Sequence, residues 1–234
     1  MDHPMLTAFV SGCEAGANPA RALQQAAYMK RSLPFYGLGR AELDALRRGW
    51  TRRFPLEEPS AYRALIEALW ALPYQECRYQ AVWVARTYTQ HITLEHLPLY
   101  RAMIEDAAWW DVVDELAAHL VGRLLLQHRE VMTPVMRAWS EDPHLWVRRA
   151  AILSQLTHKE RVDAELLFTL CRERAHERDF FIRKAIGWAL RQHSKVAPNE
   201  VRAFLDAHRE ALSGLSYREG ARHLRQRDEA ASLG

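Results

Sequence analysis

The residues best suited to chemistry are one carboxylate and several aromatic and cationic side chains at helical spacing. Trp110 and Asp114 lie four residues apart, as do Lys184 and Trp188, and Arg191 follows one turn later. Residues four apart share one face of an α-helix. Cations suit phosphates, aromatic faces suit bases, sugars or a cationic ring, and a carboxylate among cations stays ionised. The combination suits a ligand that carries phosphate together with a sugar or base.

Each of these residues also has an ordinary structural explanation. A tryptophan in a helical repeat is more often core than ligand contact. An isolated aspartate in an amphipathic helix is usually solvated, and Arg149 could simply pair with Asp114 across neighbouring repeats. The coincidence of two tryptophans, one acid and several bases favours a functional surface, but periodicity alone leaves both interpretations open.

An internal register of 35 residues connects these positions. Four segments align without gaps: 76–82, 111–117, 146–152 and 181–187. The sixth column is small or apolar, as contact between stacked repeats requires: Ala81, Leu116, Ala151 and Ile186. The fourth column holds Tyr79, Asp114, Arg149 and Lys184. Stacked repeats place equivalent residues in a row, so the fourth column predicts one stripe along a concave face of a solenoid.

The elements that position this stripe are predicted to be helices. Apolar residues recur at spacings of three and four, and no stretch alternates apolar and polar convincingly. Helix starts are expected at Thr133-Pro134 and Asp142-Pro143, and Ser216 with Glu219 has the spacing of a capping box. The fold class is therefore all-α, a superhelical solenoid of helical hairpins. No long linker interrupts the chain, and we expect a single domain over residues 1–234.

Composition narrows the class of protein. Apolar residues make up 49% of the 234-residue chain, enough for a sizeable core. The opening resembles no export signal, and no long apolar run suggests a membrane span, which together with three scattered cysteines predicts a cytoplasmic protein. Residues 1–136 carry 14 Lys and Arg against 15 Asp and Glu, whereas residues 137–227 carry 18 against 12. The second half is the candidate surface for an anion such as the DNA backbone.

Four strings carry a resemblance to a known family: 27–30 (AYMK), 109–114 (WWDVVD), 149–152 (RAAI) and 180–191 (FFIRKAIGWALR). Their order and spacing closely resemble the AlkD family of alkylpurine DNA glycosylases, over about residues 3 to 227. The resemblance implies a superhelix of HEAT-like repeats that cradles duplex DNA containing alkylated purines. It also implies a monomer that acts in base excision repair without a metal or organic cofactor, and the histidines show no ligand cluster.

The resemblance also implies roles for individual residues. Trp110 and Trp188 would grip the deoxyribose of the lesion, and Asp114 would be the catalytic carboxylate. The DNA contacts would be Tyr28, Arg149 and Arg191, to which the register alone adds Lys184. Thr157 departs from the pattern, because relatives can carry a backbone-contacting lysine at that position.

The implied reaction is hydrolysis of the N-glycosidic bond of N3- or N7-alkylated purines, including 3-methyladenine and 7-methylguanine, without a deep base-flipping pocket. The alternative is a non-catalytic HEAT-like protein that binds DNA or serves as a scaffold through the same face. Retention of Asp114 with both tryptophans favours the enzyme.

Overall fold

The computed structural model describes residues 3–30 and 33–226 of the chain. Every regular element within these residues is helical and none is a strand, which confirms the all-α prediction. None of the described helices is long and apolar enough to cross a membrane. The chain divides into two compact units, Met1–His96 and Leu97–Gly234. A single domain over residues 1–234 stays a prediction.

The first unit is held together by a buried carboxylate as well as by apolar packing. Its helices are α1 (Pro4–Ala15), α2 (Pro19–Met29), α3 (Arg40–Leu46), α4 (Trp50–Arg53), α5 (Pro59–Trp70) and α6 (Gln75–Thr87). Glu76, in the first turn of α6, is fully buried and accepts hydrogen bonds from the backbone N–H groups of Tyr36, Gly37 and Leu38 at 2.9–3.2 Å. These bonds satisfy the buried charge and fasten the segment between α2 and α3 to α6.

The second unit is a series of helical hairpins. Its helices are α7 (Leu97–Ala107), α8 (Trp110–Leu116), α9 (Gly122–Gln127), α10 (Arg129–Ser140), α11 (Leu145–Leu153), α12 (Ala164–Glu173), α13 (Phe180–His193), α14 (Pro198–Ala207) and α15 (Gly214–Gly220). A π-helical turn, Ala117–Val121, joins α8 to α9 without a break. Such turns are often found near functional sites, and this one begins three residues after Asp114.

In the second unit, the helices that carry the 35-residue register pack against one another in chain order. Within the second unit α8 contacts α11, α11 contacts α13, and α13 contacts α15. The sixth-column residues Leu116, Ala151 and Ile186 are fully buried, and so is Ala81 in the first unit. This burial confirms that the column is a packing position. Because α8, α11 and α13 lie side by side, their fourth-column residues Asp114, Arg149 and Lys184 are neighbours too.

Three predicted helix starts are wrong. Pro134 lies inside α10, which begins at Arg129, and α11 begins two residues after Pro143. The cap of α15 is Ser213, whose hydroxyl accepts the N–H of Ser216. The side chain of Ser216 instead donates to the carbonyl of Arg183 on α13. For Ser216, this tertiary contact overrides the local signal of cap spacing.

Candidate functional site

A cavity of about 430 Å³ opens within the second unit, beside α8, α11, α13 and α15. It is lined by Trp110, Asp111, Asp114, Glu115, Arg149, Phe180, Phe181, Lys184, Trp188, Arg191 and Glu219. Six of the seven site residues predicted from the sequence line it, and the seventh is Tyr28. The cavity therefore brings together the aromatic, cationic and acidic side chains that the sequence analysis selected.

Asp114 is fixed by a bidentate ion pair with Arg149. The Nε of Arg149 donates to Asp114 Oδ1 at 2.7 Å, and its Nη2 donates to Oδ2 at 2.8 Å. The exposed fraction is 13% for the aspartate side chain and 5% for the arginine. Parallel charge-assisted bonds of this kind set the orientation of the carboxylate as well as its position. The pairing that the sequence analysis left open is thus present.

Arg149 is itself held from several sides. Its Nη1 donates to the carbonyl of Phe181 at 2.6 Å. The guanidinium lies 6.0 Å from the ring centre of Trp146 and 5.8 Å from that of Phe181. Those two rings pack against each other and against Trp109, with centroids 4.7–5.9 Å apart. This aromatic cluster holds the arginine toward Asp114, so Arg149 is a buried partner of the carboxylate rather than an exposed cation.

The surroundings of Asp114 act on its pKa in opposite directions. Burial raises the pKa of the carboxyl above its ordinary value, because the charged form loses water. The hydrogen bonds and charge of Arg149 lower the pKa and offset part of this rise, whereas the nearby carboxylates of Asp111 and Glu115 add to it. A carboxylate with a raised pKa is a better base than an exposed one.

Aromatic rings form much of the remaining wall. Trp110 is 37% exposed and begins α8, one turn before Asp114. Trp188 lies on α13 and lines the same cavity. Phe180, at the start of α13, is 52% exposed. Large apolar side chains left open to solvent beside a charged group are typical of a binding surface.

The cationic side of the cavity is arranged around Glu219. Lys184 Nζ donates to Glu219 Oε1 at 2.8 Å, and Arg191 Nη1 donates to Oε2 at 2.9 Å. The hydrogen bond from Lys184, followed by the charges of Lys184 and Arg191, lowers the pKa of Glu219 despite partial burial. Lys184 remains 39% exposed and Arg191 26% exposed, so both cations are open to a ligand.

Two tyrosines with expected roles belong to the first unit. Tyr28 lies near the end of α2 and is 75% exposed. Tyr79 lies in the middle of α6 and is partly buried. A DNA contact by Tyr28 and a stripe that includes Tyr79 both stay predictions. In the second unit, the hydroxyl of Thr157 donates to the carbonyl of Ala118, in the π-helical turn.

Five cavity residues were not predicted from the sequence: Phe180, Phe181 and Glu219, together with Asp111 and Glu115 on either side of Asp114. The register could have identified Phe181 and Glu219, since Phe181 occupies its first column and Glu219 lies 35 residues after Lys184. Glu219 was assigned to a local capping box instead. Among the described residues, no cluster of His, Cys, Asp and Glu suited to a metal ion is found.

Comparisons with known proteins identify the family of the chain. Residues 12–224 match the family model of DNA alkylation repair enzymes. A solved structure, described as a predicted DNA alkylation repair enzyme from Enterococcus faecalis, is 30% identical and has a TM-score of 0.81, covering 89% of this chain and 96% of that one. The protein smu.31 from Streptococcus mutans UA159 shares the fold at 17% identity and a TM-score of 0.61, covering 77% of this chain and 92% of that one. No curated protein sequence matches significantly.

The family match spans most of the chain and includes every residue of the cavity. The family supports a role in DNA repair with DNA as the substrate. This chain belongs to the family of DNA alkylation repair enzymes.

Proposed function

We propose that the protein is a DNA glycosylase that hydrolyses the N-glycosidic bond of N3- and N7-alkylated purines in duplex DNA. The observation that carries the proposal is the Asp114 carboxylate, held by Arg149 at a cavity that Trp110 and Trp188 also line. One fixed negative charge beside aromatic rings suits a reaction that develops positive charge on a sugar.

The leaving group determines what the protein must supply. An N3- or N7-alkylated purine already carries a positive charge, so it departs without protonation by a general acid. The C1′–N bond breaks with its electron pair going to the purine, which leaves as a neutral base. Positive charge then develops on the deoxyribose, as in other glycoside hydrolyses. The protein must therefore stabilise the cationic sugar, and one carboxylate can do so.

Asp114 would perform two tasks in this scheme. Its negative charge stabilises the oxocarbenium-like sugar, and it orients a water molecule that adds to C1′. The proton that this water loses can pass to the carboxylate, whose pKa is raised by burial. Trp110 and Trp188 add cation–π attraction for the sugar and exclude bulk water. No metal or organic cofactor takes part in this scheme.

The remaining residues would bind the DNA backbone. Lys184 and Arg191 are partly exposed cations at the cavity, and Tyr28 is an exposed aromatic residue of the first unit. Arg149 is committed to Asp114 and Phe181, and we assign it mainly to the orientation of the carboxylate. The lesion would be processed without a deep base pocket, by a protein that acts as a monomer in the cytoplasm.

The alternative function is a non-catalytic protein that binds DNA through the same surface. Duplex DNA with a single 7-methylguanine separates the two functions, because a glycosylase leaves an abasic site that alkali converts into a strand break. The glycosylase predicts breaks at the lesion well above those in the same duplex treated without protein, and none in an undamaged duplex. Binding of both duplexes with no breaks above the protein-free level would establish the alternative.

We expect Lys184→Ala to weaken binding to duplex DNA of any sequence. Removing one phosphate contact should also lower the salt dependence of the affinity by about one counterion. Salt titrations of DNA affinity measure both effects. Lys195→Ala is the matched control, since it removes an exposed lysine that does not line the cavity. Equal salt slopes for the wild type and the Lys184 variant would show that Lys184 does not contact the DNA backbone.

A further inference from the structure

Glu219 joins two cations of the cavity that belong to a different helix. Its two carboxylate oxygens accept one hydrogen bond each from Lys184 and Arg191, both on α13. It lies 35 residues after Lys184, as Arg149 lies 35 residues after Asp114. The register therefore continues into α15, and its four cavity residues run acid, base, base, acid. In chain order these residues are Asp114, Arg149, Lys184 and Glu219. Arg149 pairs with Asp114, and Lys184 pairs with Glu219.

The contact between α13 and α15 brings the Glu219 carboxylate between the two cations. Gly187 lies on α13 between Lys184 and Arg191, and a Cβ added there would come within 2.5 Å of the Cβ of Glu219. Only the missing side chain at Gly187 allows this approach. Ser216, one turn before Glu219, is 1% exposed and donates to the carbonyl of Arg183 at 3.0 Å. α15 is thus held against α13 one turn before Glu219 as well as at Glu219 itself.

We propose that Glu219 is a positioning residue that holds Lys184 and Arg191 in place for a phosphate of the DNA backbone. This inference rests on the proposed function, which makes those two residues the backbone contacts. Glu219 uses one of the three ammonium donors of Lys184 and one guanidinium nitrogen of Arg191, so further donors remain for an incoming anion.

Ordering two long side chains before DNA binds should make the free energy of binding more favourable. Lysine and arginine each lose considerable rotamer freedom when a ligand immobilises them. A carboxylate that already holds both reduces this loss when DNA binds. The same carboxylate also repels DNA, because both are negative. Positioning and simple charge repulsion therefore predict opposite effects on affinity when the charge of Glu219 is removed.

The test is the affinity of Glu219→Gln for undamaged duplex DNA across a range of salt concentrations. The amide keeps the shape of the side chain but cannot accept from both cations. We expect affinity to fall roughly tenfold, the order expected for re-ordering two flexible side chains. The salt slope should fall by about one. Glu165→Gln, which removes an 87% exposed carboxylate outside the cavity, is the matched control and should bind as the wild type or slightly tighter.

A mutant cycle separates positioning from a general effect on folding. In a Lys184→Ala/Arg191→Ala background Glu219 has nothing to orient, so Glu219→Gln should leave affinity unchanged or raise it. Glu219→Asp keeps the charge but is one methylene shorter, and it should weaken binding less than the amide does. Thermal unfolding of every variant identifies a temperature at which all are folded.

Wild-type or tighter binding by Glu219→Gln would overturn the inference, and so would an equal loss in both backgrounds. These outcomes are independent of the proposed glycosylase activity. A wild-type protein that releases no base but shows the expected affinities would refute that activity and leave the role of Glu219 standing.

Discussion

Replacing Asp114 by Asn is expected to reduce base release roughly a hundredfold or more, because it removes one preorganised charge from the developing cationic sugar. Binding to intact duplex DNA should be unchanged or slightly tighter, since a negative charge near the phosphates is lost. The measurement is single-turnover release of 7-methylguanine at saturating protein, beside a binding curve. Release at the wild-type rate would show that Asp114 is not the catalytic carboxylate.

The ion pair with Arg149 demands two controls for this experiment. Asn leaves the buried Arg149 without a counterion, which destabilises the fold whatever the chemistry. The double variant Asp114→Asn/Arg149→Gln replaces the pair with two neutral amides and should regain stability without regaining activity. Asp142→Asn breaks another ion pair of the second unit, in which Arg101 lies 2.6 Å from an 11% exposed carboxylate. It should lose stability but keep the wild-type rate where it is folded.

Arg149→Gln is expected to move the acid limb of base release to higher pH. The hydrogen bonds and charge of Arg149 hold down the pKa of Asp114, so their loss raises that pKa further. Asp114 must be ionised to stabilise the sugar, and a larger fraction of the variant is protonated at any mildly acidic pH. The pH profile of single-turnover release measures this shift. An unchanged acid limb, together with weaker DNA binding and a lower salt slope, would instead make Arg149 a backbone contact.

The same variant should be less stable by about 3–5 kcal/mol at neutral pH, the usual effect of leaving one buried charge without its partner. Asp114 has a folded-state pKa above its unfolded value, so the folded protein binds that proton more tightly. The loss of stability is therefore full above the folded pKa and decreases as the pH falls through it. Urea unfolding at acid and neutral pH checks the sign, which a loss independent of pH would contradict.

The sequence predicts the fold and the position of the site through one regular feature, the 35-residue register. Buried sixth-column residues such as Leu116 and Ala151 mark the packing between repeats, and the fourth-column residues Asp114, Arg149 and Lys184 of the second unit line one cavity. Asp114 and Trp110 could be placed together from helical spacing alone. Positions that stack from one repeat to the next can therefore be predicted from a single sequence.

The partners of the charged residues could not be predicted in the same way. A column of Asp, Arg and Lys does not determine which charge pairs with which, because that depends on how closely neighbouring helices approach. Gly187 sets that distance for α13 and α15, and its role is evident only once the helices are packed. Glu219 was missed for the same reason, since Ser216 and Glu219 match a local cap that the packing overrides.

As a glycosylase of alkylated purines, the protein should cleave only the bond to a purine that is already cationic. Two duplexes test it, one with 7-methylguanine and one with an uncharged methylated analogue that has carbon in place of N7. We predict release of free 7-methylguanine well above the spontaneous rate without protein, and no release from the uncharged analogue. Equal release from both duplexes, or none above the spontaneous rate from either, would contradict it.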